Sequence, residues 1–554
     1  MNDAHSTREG SPYVPLLLQT APRVLGMLDR EPLSPTRGCM DRTYWAWKFT
    51  DFPGARFQEG LFFLSFLVQT PLPHNPYYAS GRLLSWIGGG FEYWCHIQRR
   101  RGDFDEAYPY EGSLAATAFT SFYLAEAFER VGEQLPAATA SEVKRSLVRA
   151  GSWLLRHDEA HGFLSNHLAA AAAALLHAYR ISGEARFERR FRFFLEKVLD
   201  RQSREGWYEE YGGADPGYQT HGSLYLARIW QLTGDAALLA SLDRSVAFLA
   251  HFVHPDGSLG GEYASRNTQT YYPAAFEMLA DQSAAAAWIA TTLRSSVSSL
   301  AAAGLGSVDR YNLFPLLNNY VFAELGLQAC RDSALTPAGP SPEPALLYFA
   351  DAGIVKVRRE RYDLVLGLRK GGVLRIFDRR SRRLVYADAG YIGRRRGKLV
   401  SSQWEDPQRE VQVGPEEARV TGRFHQVPRP VMRPGLFLGF RLFSLTLGRV
   451  PAFAAWLKKT LVRALITRQR ELEVSFARRV CFADEQVEVE DRIEALSDSL
   501  DELVHAERFT TIHMGSSRYF VPHELSDTGH PCEERVDLAS LHSGILRRRR
   551  ILFE

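Results

Sequence analysis

A change of hydrophobic period on either side of a Pro-rich stretch constrains this chain more than anything else in it. From about residue 55 to 330 apolar side chains recur at i, i+3, i+4 and i+7, as in RFQEGLFFLSFLVQ, GSLAATAFTSFYLAEAFERV and ARFERRFRFFLEKVLDRQ. That spacing marks helices that bury one face. Two of these segments end on Gly183-Glu184 and Gly234-Asp235 and the next begins at once, so the plan is one of repeated αα-hairpins in a closed or solenoidal array. Gly- and aromatic-rich loops, EGWYEEYGGADPG and HPDGSLGGEYASRNTQTYY, lie between the pairs, where a site would sit. Residues 332–345, DSALTPAGPSPEPA, read as a stiff linker. Beyond it the period becomes two, as in GIVKVRRERYDLVLGLRKG and ELEVSFARRVCFADEQVEVEDRIEA, which predicts an antiparallel β-sandwich. The expected division is a helical domain at 1–331, a linker at 332–345 and a sandwich domain at 346–554. Residues 435–467 interrupt the strands with an apolar and then basic helical insert, one that packs on the body or lies on a membrane surface.

At 554 residues the chain exceeds what one core usually fills, in keeping with two domains. The net charge of +3 hides an asymmetry: residues 341–554 hold 37 Lys and Arg against 29 Asp and Glu, and the first 340 hold 30 against 35. The C-terminal part is the one suited to polyanions. Five scattered cysteines without CxxC spacing suggest neither a disulfide framework nor zinc. The first twenty residues carry no apolar stretch before a small-residue cleavage site, and no run of about 18 uncharged apolar residues occurs. A cytoplasmic protein, peripheral at most to the inner membrane through 435–467, is expected. GxGxxG with acidic spacing, P-loop, HExxH and GxSxG motifs are absent, and no cofactor, metal or nucleic-acid partner is expected.

Two helix openings carry the chemistry. SNHLAAAAAALLHAYRIS begins on Ser165, Asn166 and His167, where unpaired N–H groups and the positive dipole end suit a carboxylate. An amide and an imidazole there can bind and neutralise a uronate carboxyl group, which eases loss of the C5 proton. Ser165 or Asn166 as a simple helix cap is the competing explanation. In GWYEEYGGADPGYQTHGSLYLARI, Pro216 and Gly217 mark a turn, after which Tyr218, His221 and Tyr225 share one helix face. Tyr218 and His221 then form an acid/base pair, or two aromatics closing a core.

These stretches, with the Pro-rich junction and the following YFADAGIVKVRRERYDLVLGLRKGG and RRLVYADAGYI, resemble the heparinase II/III-like polysaccharide lyases over about half of the chain. The resemblance implies an N-terminal incomplete (α/α) toroid followed by a C-terminal antiparallel β-sandwich. It also implies β-elimination on a uronate-containing acidic glycan, with Asn166 on the carboxylate and Tyr218 as base or acid. The chain departs from the family where an H-x-H-x-D pattern is usual: here stands GGVLRIFDRRSRRLVYADAG, which keeps Asp378 and Asp388 but no histidine. His221, His425, His505 or His513 would then substitute, or Arg375, Arg379 or Arg380 would neutralise charge alone.

Further candidates for binding sugar are Arg266, as a clamp on a carboxylate or sulfate or as a partner of Glu262, with Tyr271 in the same loop. Trp45, Arg56 and Gln58 precede another helix, Tyr110 precedes a third, and Glu210 in the loop before Tyr218 is a further candidate ligand for sugar. A glycoside hydrolase or epimerase on the same architecture would instead need paired carboxylates such as Glu209, Glu210 and Asp215. A non-catalytic glycan-binding or scaffold protein is the third reading.

Overall fold

The computed structural model describes residues 10–159, 162–330, 335–428, 433–450, 453, 456–457, 460, 470–496, 499–511, 515–516, 519–525, 529 and 531–553. His513, residues 332–334 and most of 451–467 lie outside them.

The N-terminal part is helical: α1 Tyr13–Met27, α2 Gly60–Gln69, α3 Gly81–Ile97, α4 Leu114–Val131, α5 Ala137–Leu154, α6 Ser165–Ser182, α7 Ala185–Leu199, α8 Pro216–Thr233, α9 Ala236–Ala250, α10 Ala274–Met278, α11 Ala284–Ser299 and α12 Arg310–Ala329. Helices α2, α4, α6, α8, α10 and α12 pack in succession, and α12 returns against α2, which closes an inner ring. Helices α3, α5, α7, α9 and α11 lie outside it, each against an inner neighbour. The burial patterns follow. Every residue of α4 from Leu114 to Ala127 is buried, whereas α7 buries only Phe187, Phe191, Phe194, Leu195 and Val198, one stripe at helical spacing. The alanines 169–174 of α6 leave room for α4 and α8 on either side. Gly183 and Gly234 end their helices in the left-handed region, at φ 71° and 68°, as the GE and GD turns predict. α10 is the short member of the ring, with 5 residues.

The C-terminal part is built of β1 Ala345–Phe349, β2 Ile354–Arg358, β3 Tyr362–Gly367, β4 Val373–Asp378, β5 Arg383–Asp388, β6 Tyr391–Arg395, β7 Lys398–Ser401, β8 Val411–Val413, β9 Glu417–Gln426, β10 Glu471–Phe482, β11 Gln486–Ala495, β12 Glu502–Ala506, β13 Glu533–Arg535 and β14 Ile545–Leu552, with α13 Pro434–Leu445 between β9 and β10. β1 to β5 form a meander, and the second sheet runs β13-β12-β6-β7-β9-β10-β11-β14 with β8 on β9. Val355, Leu364, Leu366 and Ile376 of the first sheet meet Val420, Val480, Val487 and Val489 of the second, so the two form a sandwich. The other face of the first sheet packs on the toroid. Val365 and Val373 join the helical core, Phe349 meets Phe248 at 5.2 Å, and Phe377 stacks on His254 at 4.5 Å. That wall brings β4 against the loop preceding α10.

Candidate active site

Helices α6 and α8 start at the same end of the inner ring. α8 starts as its sequence asks: Asp215 is extended and its carboxylate accepts the Tyr218 N–H at 2.8 Å, with Pro216 in the first turn. α6 starts differently. Neither Ser165 nor Asn166 caps it; Leu164 holds that position, and the Ser165 hydroxyl donates to the Glu209 carbonyl at 2.8 Å. The Asn166 N–H donates instead to the Glu210 carboxylate at 3.2 Å, so a residue 44 positions away satisfies the helix terminus. The Asn166 side chain is thereby free to face α8. Its Nδ2 lies 3.4 Å from the Tyr218 hydroxyl, a long contact, and its Oδ1 is buried without a partner.

One turn along α8, His221 is sandwiched by aromatic rings, with Tyr218 at 5.7 Å, Tyr225 at 5.4 Å and Tyr272 at 4.6 Å. Burial pushes its imidazole down to about 3, and the charges of Arg56, His167 and Arg266 add to the effect. It is neutral near pH 7, and its Nδ1 has no partner.

The loop before α10 supplies the cation. Asp215 accepts the Arg266 N–H at 2.7 Å, and Gly217 allows the loop its close approach, since a Cβ there would stand 2.4 Å from the Thr268 carbonyl. The Arg266 guanidinium lies 3.5 Å from the centre of the Tyr218 ring. It also contacts Glu210 at 3.4 Å and Ser516 of the sandwich domain at 3.2 Å. Burial raises the Glu210 carboxyl to about 7 against the opposing pull of Arg266. His167 meets Glu159 at 2.5 Å and stands edge-on to Phe119, over which Arg56 lies at 4.3 Å. Glu59 and Glu106 hold Arg56 in turn. Asn166 is fully buried and Tyr218 is 8% exposed. The cluster reaches solvent at the His167 and Arg56 side chains, which keep 18% and 19% exposure.

Asn166, His167, Tyr218, His221, Arg266, Arg56 and Glu210 thus come together. Other candidates do not. Gln58 receives the Met40 N–H and donates to the carbonyls of Gly38 and Gly90, a buried clamp between loops with no capacity left for sugar. The Trp45 indole N–H donates to the Met27 carbonyl at 2.8 Å and ties its turn to α1. Tyr110 sits on the rim between Arg99 and Arg449. Tyr271 stacks on Phe276 at 5.8 Å and turns its back on the cluster; along an extended segment successive side chains point opposite ways, so Tyr272 faces His221 instead. Glu210 serves as helix terminus and ion-pair partner, not as a ligand for sugar hydroxyls. Glu262 pairs with Arg375 of β4, not with Arg266. That contact ties β4 to the loop before α10, which Lys370 of the sandwich also reaches by donating to the Ser265 carbonyl at 3.1 Å. Arg379 is spent on the carbonyls of Arg359 and Pro342. His425 stacks on Trp404, and His505 lies in a buried ion cluster with Asp388, so of the histidines weighed as substitutes and described, only His221 lies in the cluster. Asp215 is consumed by backbone N–H groups and Glu209 faces outward to Arg201, which leaves no free carboxylate pair for hydrolysis. Glu159 and Phe119 escape sequence reasoning, because each arrives from a loop or helix with no pattern that marks it, and Tyr272 stands in the sequence beside Tyr271 with nothing to favour it.

Among the described residues one group has the makings of a metal site: Glu126, Glu129 and His177, with ligand atoms within 4.8 Å of one another, at the far end of α4 and α6. His177 meets Glu126 and Glu129 at 3.1 Å each, and Arg228 grips Glu126 at 2.6 and 3.0 Å, so the group is an internally paired ion network.

Residues 89–293, from α3 into α11, match the family model of the ulvan lyase N-terminal domain. Over those residues the toroid is similar to that lyase domain. The match contains Asn166, His167, Tyr218, His221 and Arg266, and it agrees with the likeness to heparinase-type lyases read from the motifs. Among solved structures the chain is similar to the Streptomyces coelicolor A3 chondroitin AC lyase in complex with chondroitin sulphate, at 13% identity and a TM-score of 0.56 over 90% of this chain and 68% of that one. It is also similar to the Paenibacillus xanthan lyase, at 10% identity and a TM-score of 0.53 over 90% of this chain. The chain spans 46% of that xanthan lyase's length. At such identities the likeness establishes the fold, a helical toroid followed by antiparallel sheets. No curated protein matches by sequence.

Proposed function

We propose that this protein is a polysaccharide lyase that cleaves a uronate-containing acidic glycan by β-elimination. The observation that carries this is the pairing of the Asn166 amide with the Tyr218 hydroxyl at 3.4 Å beneath the Arg266 guanidinium. A uronate carboxylate entering there exchanges the long Asn166–Tyr218 contact for a charge-assisted one with Nδ2, which stabilises the negative charge that builds at the carboxylate as C5 loses its proton. Tyr218 takes that proton. The C5–H electrons become the C4–C5 double bond, the C4–O4 bond breaks, and Tyr218 returns the proton it took from C5 to O4 as O4 leaves, which restores Tyr218 to its starting state. Arg266 over the ring stabilises negative charge on the phenol oxygen. Neutral His221 and partly buried His167 orient the phenol and the sugar ring.

The glycoside-hydrolase alternative is disfavoured by the capture of Glu210 and Asp215 in helix termini and ion pairs. The test is ultraviolet absorbance on a panel of uronate polymers, since elimination alone leaves a conjugated 4,5-unsaturated uronate. Absorbance that rises with the native protein and is lost in Asn166→Ala supports the proposal. Cleavage without absorbance, or no cleavage of any uronate polymer, sinks it.

A further inference from the structure

The most exposed apolar surface among the described residues lies on the insert between β9 and β10. Leu436, Leu438 and Leu442 of α13 are 62%, 70% and 63% exposed, and Phe453 and Trp456 beyond it are 45% and 59% exposed. Only Ser444 of α13 is buried. The helix is nevertheless fixed to the toroid. Arg441 pairs with Asp51 at 3.2 Å, Phe440 meets Tyr108 at 5.1 Å, and Arg449 lies 5.0 Å from the Tyr110 ring. The anchoring at Asp51 brings in a second apolar tip: Trp47 and Phe49, 62% and 80% exposed, stack on each other at 6.0 Å with Lys48 between them in sequence. A rigidly held helix that turns its leucines outward, beside an exposed aromatic pair, is not a core face waiting for its own chain.

Charge identifies the occupant. From Arg433 to Arg470 the sequence has eight cations, Arg433, Arg441, Arg449, Lys458, Lys459, Arg463, Arg468 and Arg470, and no Asp or Glu. Leucines and aromatics interspersed with cations, with no acid, suit the interface of an anionic bilayer, where apolar side chains enter the acyl boundary and Lys or Arg meets phosphate. A partner helix of ordinary protein surface would call for some acidic or amide side chains in return. We infer that α13, together with the Trp47–Phe49 tip, docks this protein on an anionic lipid surface. Among the described residues no helix is long and apolar enough to cross a membrane.

The docking face adjoins the catalytic cluster. Tyr108, which touches Phe440, shares its loop with Glu106, and Glu106 holds the Arg56 that lies over Phe119 beside His167. A glycan still attached to a lipid would therefore meet the cleft from the membrane side.

Co-sedimentation of the full chain with phosphatidylcholine vesicles, with and without phosphatidylglycerol, tests this. The native protein should pellet with the anionic vesicles and release as salt rises. The double variant Leu438→Asp/Leu442→Asp should pellet about tenfold less at an unchanged melting temperature, because both side chains already face solvent. Arg433→Glu, at the exposed start of α13, should weaken only the anionic-vesicle binding. Failure of the native protein to bind, or equal binding by the leucine variant, overturns the inference. So does a lipid-free dimer that the leucine variant dissolves, since the face would then belong to a second copy.

Discussion

The two ends of the same inner helices treat polar side chains in opposite ways. At the far end of α4, α6 and α8 every member of the Glu126, Glu129, His177 and Arg228 network has a charged partner, at 2.6 to 3.1 Å. At the near end Asn166 Oδ1, His221 Nδ1 and Arg266 Nε are buried without one. Buried polar groups are ordinarily satisfied, and leaving one unmet costs about 1–3 kcal/mol. The far-end network is paired, with Arg130 Nε beside it the one group left unmet there among the described residues, whereas the near end leaves three groups open where a ligand would relieve the cost. The far end stabilises the ring; the near end is where the proposed elimination would take place.

Variants sharpen the contrast. Tyr218→Phe should lower turnover on the order of a thousandfold, the range for loss of a positioned acid/base. Its melting temperature should stay within a few degrees of the parent. A fall in stability without a fall in turnover would place Tyr218 with the structural end. Glu126→Ala should do the reverse. It strands Arg228, takes one of the two carboxylates from His177, and costs about 3–5 kcal/mol of stability by chemical denaturation, while the folded fraction turns over at the parent rate. Asn166→Ala should cost about a hundredfold in kcat/KM, the scale for one lost oxyanion donor.

The smallest effect is a pH signature that separates the two histidines. His221, held down to about 3, stays uncharged in the fold while the unfolded chain takes up a proton below its ordinary 6.5, so stability is lost as pH falls through that window. His177 is raised by its two glutamates; the stability it adds is complete below 6.5 and lost as pH rises through its folded value. Denaturation measured from about pH 8 to about pH 4 should show His221→Gln gaining on the parent as acid is added, and His177→Gln falling behind it. Parallel curves for the two would erase the distinction between the ends.

Much of the architecture was legible in the pattern of residues. The period of 3.6 gave way to two between α12 and β1, and the Gly183 and Gly234 stops were read from local chemistry that needs no distant partner. Asn166 and Tyr218 were legible as polar groups crowded at helix starts. Their neighbours were not. Glu210 looked like a sugar ligand because nothing local reveals that the start of α6 lacks a cap of its own. Tyr271 and Tyr272 are equivalent as letters, and only the packing of the loop on α8 decides which one faces His221. Gln58 resembled a binding group because a polar side chain beside aromatics carries no mark of the three backbone groups it satisfies.

What the sequence by itself determined was therefore everything set by short-range periodicity and capping: a helical array, a junction, a strand-built domain, and two polar helix openings about one hairpin apart. What the tertiary structure alone decided was which side chains spend their hydrogen bonds inside the fold and which keep them in reserve. Such pairings join residues 44 to 113 positions apart, as Asn166 with Glu210 and Glu262 with Arg375 do. Ring closure and the seating of the sandwich create them, and no window along the chain contains both partners.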